Sequence, residues 1–330
     1  MSNENVDTSR RLESGTAVKQ IEAPLGLCAL VAHEGRPRSG CELEQVVRCM
    51  ICGATNLGSV DTMASLYQCG TCQFIFRNPR PSEARIARYY STEDQYDDWL
   101  KNESARDELW RRRLRMLNRY RSRGRLLDVG AGIGQFLNLA KEYYEVEGTE
   151  VSASAVRIAN EKYGLHLNCG RLEDIDFRDR RFDVITLFHV LEHVGDPKAL
   201  LLKCAEILSP DGIIVIAVPN EIRGWKRPLK SAAALLGLGR RKVSVRYGLA
   251  ALRLSEPGEE IHLSFFTSRT IETLLTAAGL KVIDHDVDPC HASTGMKQLL
   301  HEVAFRLCKA LRGALGFEFQ EAIWMVARKQ

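Results

Sequence analysis

The chain has 330 residues, 45% of them hydrophobic and 27% charged, and its formal net charge at pH 7 is +4. This composition is typical of a globular protein with one large domain and room for a smaller one, and so small a net charge gives no argument for a nucleic-acid partner. No apolar run approaches the roughly 20 residues that span a bilayer, and the N-terminus shows no secretion signal. We therefore expect a cytoplasmic protein whose ten cysteines are thiols or metal ligands.

Two cysteine pairs in the first quarter of the chain predict a metal site. Cys49 and Cys52 form one C-x2-C knuckle, and Cys69 and Cys72 form a second one after 16 intervening residues. Each knuckle directs two sulfurs to one point, and four thiolates complete the tetrahedral shell of Zn²⁺. Because no coordination position stays open for catalysis, we expect a structural zinc ion that holds a small ribbon together.

A helical pattern follows the ribbon. Its longer segment, residues 104–121, carries six arginines: Arg111, Arg112, Arg113, Arg115, Arg119 and Arg121. Such a charge run is usually a solvated face, and the alternative interpretation is that it attracts an acidic substrate.

The next stretch, residues 125–136 (RLLDVGAGIGQF), predicts a short buried strand, a glycine turn and the start of a helix over 135–144. Such a unit opens nucleotide-binding α/β sheets, because glycines permit a sharp turn and let a ligand reach the peptide N–H groups at the helix start. A second strand over 144–150 ends in Glu150, 20 residues after Gly130. At this spacing the acid at a strand end reaches the ribose diol of a bound nucleoside.

Strands and helices continue to alternate further along the chain, which predicts an α/β fold with a mostly parallel sheet. The expected elements are a helix at 153–163, a short strand near 167, a strand at 182–188, a helix at 196–208, a strand at 213–218, a helix at 269–278, a strand at 281–284, a helix at 296–312 and a final, antiparallel strand at 322–327. We expect the amphipathic helix at 296–312 to pack on the domain rather than to lie on a membrane.

The glycine loop distinguishes two nucleotide cofactors. Dinucleotide-binding loops read G-x-G-x-x-G, whereas here the third glycine, Gly134, comes one residue early. Asp128 stands two residues before the first glycine, where a carboxylate would repel a pyrophosphate but attract the ammonium and sulfonium groups of S-adenosylmethionine. These residues favour S-adenosylmethionine over NAD.

Four blocks of the sequence carry a family resemblance: LLDVGAGIGQF, VEGTEVS, FDVITLFHVLEHV and LSPDGIIVIAVPN. In this order they resemble the class I S-adenosylmethionine-dependent methyltransferases, and within them the small-molecule group that includes quinone and sugar methyltransferases. The cysteine-rich segment, CMICG to CGTCQFIFRNPRPS, is similar to the zinc-binding front end of methyltransferases encoded with bacterial surface-sugar enzymes. The resemblance covers about residues 85–285 and implies a Rossmann-like methyltransferase sheet preceded by a zinc ribbon.

The resemblance also implies a set of cofactor-binding residues. The methionine end would be held by Asp128, Gly130, Gly132 and Gly134, and the ribose hydroxyls by Glu150. The adenine would lie against Val151, with Leu172 and Glu173 beside the base. The methyl donor would lie above Phe188 and His189. Arg171 departs from the pattern, because many relatives have an aspartate there near the adenine amine. Contacts between that loop and the adenine therefore stay open.

The segment from His189 to His193, HVLEH, also matches the H-x-x-E-H motif of inverted zinc proteases. That motif needs both histidines on one face of a long helix, whereas this segment directly follows a buried strand, so we disfavour a protease. His193 has two open interpretations. It is either a general base that takes a proton from the acceptor as the methyl group transfers, or a structural histidine that holds the loop by hydrogen bonds.

A basic insertion, residues 221–260, interrupts the alternating pattern. It carries Trp225, a small apolar helix and flanking cations that include Arg240, Arg241 and Lys242. We favour a substrate lid with a solvated basic face, and the alternative is peripheral contact with a membrane or with a lipid-linked phosphate. For His262, which follows the insertion, we favour a packed histidine, and the alternative is that it faces the substrate pocket.

From composition and hydrophobic period we expect four segments. These are a disordered tail (1–44), the zinc ribbon (45–81), a helical lid or linker (82–124) and the methyltransferase domain (125–330) with its insertion. We interpret the chain as a methyltransferase that uses S-adenosylmethionine and acts on a small molecule such as a sugar or a lipid-linked glycan precursor. Two alternatives are an RNA methyltransferase whose ribbon grips RNA, and a non-catalytic zinc scaffold. Nucleic acid is the less favoured partner. The sequence specifies neither the acceptor nor whether O, N or C is methylated.

Overall fold

The computed structural model describes residues 43–90, 96–237, 243–252, 260–293, 295–316 and 318–330. The strands are β1 (Leu43–Glu44), β2 (Leu57–Asp61), β3 (Leu66–Cys69), β4 (Ile75–Arg77), β5 (Arg80–Pro81), β6 (Gly124–Val129), β7 (Tyr144–Glu150), β8 (Asn168–Cys169), β9 (Phe182–Phe188), β10 (Leu208–Pro219), β11 (Ser264–Phe265), β12 (Leu280–Val287) and β13 (Ala322–Lys329). The helices are α1 (Glu83–Tyr90), α2 (Asp97–Lys101), α3 (Glu103–Leu117), α4 (Gln135–Ala140), α5 (Ala153–Tyr163), α6 (Pro197–Ile207), α7 (Lys226–Leu235), α8 (Ser268–Ala277) and α9 (Gly295–Leu315), with a 3-10 helix at Leu172–Asp174.

The central sheet has seven strands in the order β12-β13-β10-β9-β6-β7-β8. Neighbouring strands from β10 to β8 are parallel, whereas β13 runs antiparallel to both β10 and β12. The expectation of a mostly parallel sheet with an antiparallel last strand is thereby confirmed. The helix expected over 135–144 is shorter and ends at Ala140, because Tyr144 already belongs to β7.

Alternate residues of the central strands enter two separate cores. Leu127 and Ile185 pack with side chains of α6 and α8, whereas Leu126 and Val184 pack with side chains of α3, α4 and α5. Successive strand residues point to opposite faces, so each hydrophobic run serves both layers of helices. The result is a sheet covered by helices on both faces, with α3 as part of one layer.

The ribbon is built into this domain. Its sheet has the order β11-β4-β3-β2, and β11, which follows the insertion, pairs antiparallel with β4. The guanidinium of Arg77 donates hydrogen bonds to the backbone carbonyls of Ala64, Ala250 and His262. These bonds join the ribbon to a segment about 185 positions later in the chain.

Ordered structure starts before the ribbon. Leu43 and Glu44, which the sequence analysis assigned to a disordered tail, form β1 and pair with β5. Residues 1–42 of that tail lie outside the described residues.

Helix α9 corrects the expectation that its apolar stripe packs inward. Four residues of the stripe are 57–63% exposed: Leu299, Leu300, Val303 and Leu307. Polar contacts hold the helix instead, because Lys309 forms an ion pair with Asp286 of β12 and Arg312 donates to the carbonyl of His285. With the cations turned toward the sheet, the apolar stripe faces outward.

Among the described residues, no helix combines the length and the apolarity needed to cross a membrane.

Candidate active site

A cavity of about 730 Å³ lies at the carboxyl ends of β6, β7, β9 and β10. Open α/β sheets bind ligands at this edge, and the volume is that of a small-molecule site. His193 lines the cavity, and so do nine of the ten predicted cofactor-binding residues: Asp128, Gly130, Gly132, Glu150, Val151, Leu172, Glu173, Phe188 and His189. The remaining predicted residue, Gly134, does not line the cavity and packs against Leu165 and Ala159.

Gly134 has a packing role. Its φ is +78°, and a Cβ atom there would lie 2.8 Å from Leu165 Cδ1 and 3.2 Å from the Cβ of Ala159. The missing side chain therefore lets the start of α4 approach α5 closely. The predicted contact of Gly134 with the methionine end of a cofactor stays a prediction beside this packing role.

The glycine loop uses its own peptide N–H groups. Those of Gly130 and Ala131 donate to the carbonyl of Thr149 at 2.9 and 3.0 Å, and that of Gly132 donates to Glu150 Oε2 at 2.8 Å. This corrects the expectation that the loop offers free N–H groups to a ligand. A phosphate needs such donors. We call the glycine loop, Asp128 and Glu150 the glycine-loop wall of the cavity. Because its N–H donors are occupied and its ionisable groups are carboxylates, this wall suits a cationic ligand better than a phosphate.

Glu150 is held rigidly at the end of β7. Its side chain is almost fully buried, and Oε1 accepts a hydrogen bond from the Ser152 N–H at 2.9 Å while Oε2 accepts from Gly132. Burial raises the pKa of this carboxyl, although the backbone N–H groups act in the opposite direction. Each oxygen keeps a second lone pair, so the group can accept two further hydrogen bonds from a diol.

Asp128 is the second buried acid of the wall. Its side chain lies at the end of β6, and Thr186 Oγ1 donates to its Oδ1 at 2.6 Å. Burial raises the pKa of Asp128 to about 7, against the lowering effect of Thr186 and Arg113. A cation bound beside it would favour the ionised carboxylate.

The aromatic ring of Phe188 is fixed on the floor of the cavity. It meets Phe136 edge-on with 5.0 Å between ring centroids and stacks on Trp324 at 5.5 Å. These contacts preset the orientation of the ring before any ligand binds.

His189 adopts a left-handed backbone conformation with φ of +58°, which is unusual for a residue with a side chain. Its N–H donates to the carbonyl of Ala217 at 2.8 Å, and Nε2 accepts from Arg113 Nη2 at 2.8 Å. Burial lowers the pKa of His189, but Asp288 and Glu192 outweigh it and raise the pKa above its usual value.

Arg113 is a site residue that the sequence analysis missed. Its side chain is 2% exposed and donates to both oxygens of Asp288, at 2.9 and 2.6 Å. The adjacent charge helps to hold the pKa of Asp288 at about 2 despite its burial. A signal was present, because Arg113 stands four residues from both Leu109 and Leu117 and thus on the inward face of α3.

A histidine cluster lines the other side of the cavity. The ring of His193 lies edge-on to that of His262, with 4.9 Å between centroids. The prediction that His262 is merely packed is therefore wrong, because β11 pairs with β4 and carries the preceding residues to the cavity. His193 Nδ1 lies 2.9 Å from the Ile261 carbonyl and 3.1 Å from the Tyr90 hydroxyl.

Cations of the insertion also reach the cavity. Lys226, Arg227 and Lys230 of α7 line it, and Lys226 forms an ion pair with Glu321 at 2.6 Å. These cations also meet solvent, since the Lys226 side chain is 45% exposed and Lys230 is exposed, so the substrate lid with a solvated basic face stays a prediction. The run from Arg240 to Lys242 lies outside the described residues.

Arg171, which departs from the family pattern, closes one side of the cavity. It forms ion pairs with Glu83 of α1 and, at 3.1 Å, with Glu173. The loop after β8 is thereby joined to the helix that follows the ribbon.

The four ribbon cysteines meet in one cluster. Cys49 Sγ lies 3.5 Å from Cys72 Sγ, Cys52 Sγ lies 3.6 Å from Cys69 Sγ, and all four sulfurs lie within 4.8 Å of one another. Zinc–sulfur bonds of about 2.3 Å in a tetrahedron require sulfurs about 3.8 Å apart. The cluster therefore fits a zinc ion.

The strand order, the antiparallel strand β13 and the acids at the ends of β6 and β7 define a Rossmann-like nucleoside-binding fold of the methyltransferase class. A family model described as a methyltransferase domain matches residues 102–285, more than half of the chain. The chain belongs to this family, the class I S-adenosylmethionine-dependent methyltransferases.

Individual relatives are more distant. A ubiquinone biosynthesis O-methyltransferase from Rhodopseudomonas palustris (strain HaA2) is 35% identical over 108 residues, which is 31% of this chain and 42% of that protein. The chain thus matches less than half the length of this curated relative. Solved structures of S-adenosylmethionine-dependent methyltransferases from Thermotoga maritima (described as a possible histamine N-methyltransferase) and Archaeoglobus fulgidus are 17% and 20% identical. They cover 76% and 70% of this chain and 100% and 99% of their own, with TM-scores of 0.47 and 0.46.

Proposed function

We propose that the protein transfers a methyl group from S-adenosylmethionine to a small, negatively charged acceptor, such as a sugar or a lipid-linked glycan precursor. The observation that carries the proposal is the wall around the glycine loop, where N–H donors are occupied internally and two buried carboxylates face the cavity. This arrangement suits a ligand with an ammonium group, a sulfonium group and a ribose diol.

Each predicted cofactor residue in the wall has a role in this proposal. Asp128 would hold the ammonium group, Gly130 and Gly132 would lie beside the methionine end, and Glu150 would hold the ribose hydroxyls. Val151 and Leu172 would flank the adenine beside Glu173, and Phe188 would support the methyl donor from below with His189. The cofactor supplies an electrophilic methyl group, and the protein aligns it with the acceptor and excludes water.

The acceptor half of the cavity carries cations beside its carboxylates. Lys226, Arg227 and Lys230 of α7 line it together with Glu221 and Glu260. These cations support an acceptor that carries phosphate or carboxylate groups. The O-methyltransferase name of the relative favours an oxygen as the methylated atom.

His193 is the candidate general base. A carbonyl oxygen only accepts hydrogen bonds, so the contact with Ile261 requires the proton on Nδ1 and leaves the lone pair on Nε2. Burial lowers the pKa of His193, which keeps the ring neutral near pH 7. Nε2 can then accept a proton from an acceptor hydroxyl.

The ribbon cluster is proposed to hold a structural zinc ion. Its closed set of four thiolates serves folding rather than catalysis. In this arrangement zinc would stabilise the ribbon (residues 45–81) against which α1 and the segment before β11 are held.

Peripheral membrane contact suits a cytoplasmic enzyme with a lipid-linked acceptor. Helix α7 exposes Leu229 and Leu235 beside its cations, and Leu236 follows with 70% exposure. Apolar residues flanked by lysine and arginine are typical of surfaces that rest on anionic lipid.

The test combines calorimetry with S-adenosylmethionine and transfer of a labelled methyl group to cell extracts, followed by mass identification of the product. We expect Glu150→Gln to weaken donor binding at least tenfold, because its amide NH2 would then face one of the two backbone N–H groups that the carboxylate accepts from, and one acceptor for the ribose diol would be lost. The matched control is Glu147→Gln, on the same strand but paired with Arg180. Equal donor affinity of the Glu150→Gln and wild-type proteins would contradict the proposed pocket, and labelling of RNA alone would favour the RNA alternative.

A further inference from the structure

Three side chains at the acceptor end of the cavity converge as metal ligands do. One ligand atom each of Glu192, His193 and His262 can be chosen so that all three lie within 4.8 Å of one another. Bonds of about 2.0–2.2 Å to a common ion would place such atoms about 3 to 4 Å apart. His193 Nε2 and Glu192 Oε1, which lie 3.9 Å apart, already have such a separation.

The far nitrogens of both histidines are already committed. His193 Nδ1 donates to the backbone carbonyl of Ile261 at 2.9 Å, and His262 Nδ1 lies 2.8 Å from Glu221 Oε2. Metal-binding histidines characteristically donate one ring N–H to a carbonyl or a carboxylate, because this bond fixes the tautomer and the ring orientation. Here it leaves Nε2 of both rings for another partner.

Glu192 supplies the independent observation. Its side chain is 1% exposed, and within the described part of the chain neither oxygen has a hydrogen-bond partner, nor has His262 Nε2. Its nearest partners are two histidine rings, since His189 Nδ1 lies 3.2 Å and His193 Nε2 lies 3.9 Å from Oε1. A buried carboxylate is normally paired or bound to a metal.

The local charges point the same way. Three carboxylates surround the ring of His262, since Glu221 and Glu260 approach it to 2.8 and 3.3 Å and Glu192 lies in the same cluster. One protonated imidazole cannot balance three carboxylates, whereas a divalent ion can offset two of them.

We propose that Glu192, His193 and His262 form a binding site for one divalent transition-metal ion, such as Zn²⁺, Mn²⁺ or Fe²⁺. Two imidazoles and a carboxylate without a thiolate suit these ions. Glu260, whose side chain is 70% exposed and ends 3.3 Å from His262 Nε2, can turn in as a fourth ligand.

This site deepens the proposed function and rests on it. His193 and His262 line the cavity beside the glycine-loop wall, so an ion held there has its open positions toward the acceptor. Its ligand would be an acceptor oxygen, which narrows the substrate class to molecules with a hydroxyl group or a neighbouring pair of oxygens. His193 would then hold the ion through Nε2 instead of acting as the base.

The test is a titration of the full-length protein with Co²⁺, whose absorption spectrum reports its ligands. We expect one Co²⁺ per chain that lacks the intense thiolate charge-transfer band, and hence lies outside the ribbon. Glu192→Gln and His262→Gln should each weaken this binding at least about tenfold. His166→Ala, in an exposed loop where the ring bonds Asn160, is the matched control and should bind Co²⁺ like the wild type.

Donor binding is measured on the same samples. Cobalt that binds only with a thiolate band, or equally well to wild type and His262→Gln, overturns the metal site. If that happens while S-adenosylmethionine still binds, the proposed function stands. Loss of donor binding in the wild-type protein would instead contradict the proposed function. Because removal of Glu192 can disturb folding, His262→Gln alone decides the case where Glu192→Gln does not fold.

Discussion

The two halves of the cavity are built in different ways. The donor half comes from short segments at the ends of β6, β7 and β9, where each motif brings its own functional residues. The acceptor half is assembled from Tyr90 after the ribbon, His193 after β9, α7 of the insertion and His262 before β11. Local motifs thus position the cofactor, whereas long-range pairing positions the acceptor.

One buried ion pair lies where the halves meet. Arg113 contacts His189 of the donor half and both oxygens of Asp288, the residue directly after β12. The HVLEH segment, which resembles a protease motif, itself joins the two halves, because it carries His189 of the donor half and His193 of the acceptor half.

The largest expected effect is on this junction. Arg113→Met leaves the Asp288 carboxylate buried without its partner, and we expect the free energy of unfolding to fall by about 3–5 kcal/mol. Urea denaturation measures it. The control Arg115→Met removes a side chain that is 63% exposed on the same helix, and should change stability by less than about 0.5 kcal/mol. Similar losses in both variants would show that the pair does not join the halves.

A smaller effect is expected in the glycine loop of the donor half. At Gly132 the φ is +56° and a Cβ atom would lie 2.7 Å from the Trp99 ring. Gly132→Ala should therefore cost about 1–2 kcal/mol of stability and weaken donor binding in calorimetry. Gly58→Ala, in β2 with no atom within 4 Å of the added carbon, is the control. Unchanged donor binding in Gly132→Ala would place the donor away from this wall.

The donor half should also depend on pH. The pKa of Asp128 is about 7 because of its burial, so the carboxylate that attracts a cation forms only as the pH rises through this value. Donor affinity should fall by up to about tenfold from pH 7 to pH 6 and level off above pH 8. Calorimetry at several pH values measures it, and Asp128→Asn should bind weakly with no such dependence. A wild-type affinity that is constant from pH 6 to pH 8 would contradict the role of Asp128.

The sequence predicted the donor half of the cavity better than the acceptor half. Strands β7 and β9 and helix α5 have the predicted bounds, and the family membership is confirmed, because hydrophobic period and glycine spacing are local signals. The predicted roles of the pocket residues remain proposals. The occupied N–H groups of the glycine loop escaped prediction, since they depend on how β7 lies beside β6.

The acceptor half was largely beyond sequence reasoning. His262 was expected to be packed. The pairing of β11 with β4, together with the bonds from the N–H groups of Leu263 and Ser264 to the Glu192 carbonyl, brings it to His193. The outward stripe of α9 likewise depends on long-range contacts with β12, an ion pair from Lys309 and a hydrogen bond from Arg312. Among these features, Arg113 could have been predicted, because its spacing of four residues from Leu109 and Leu117 places it on the buried face of α3.

The smallest expected effect tests this long-range assembly. The Tyr90 hydroxyl accepts a hydrogen bond from the Ile261 N–H at 3.1 Å and lies 3.1 Å from His193 Nδ1, so it ties α1 to both histidine-bearing segments. Tyr90→Phe should lower the free energy of unfolding by about 1 kcal/mol and leave donor affinity unchanged, because no donor-half residue touches the hydroxyl in these contacts. Tyr143→Phe, with a side chain that is 49% exposed, is the control for denaturation and calorimetry. A loss of donor affinity in Tyr90→Phe would mean that the two halves are coupled through α1. The donor half would then not be positioned by local motifs alone.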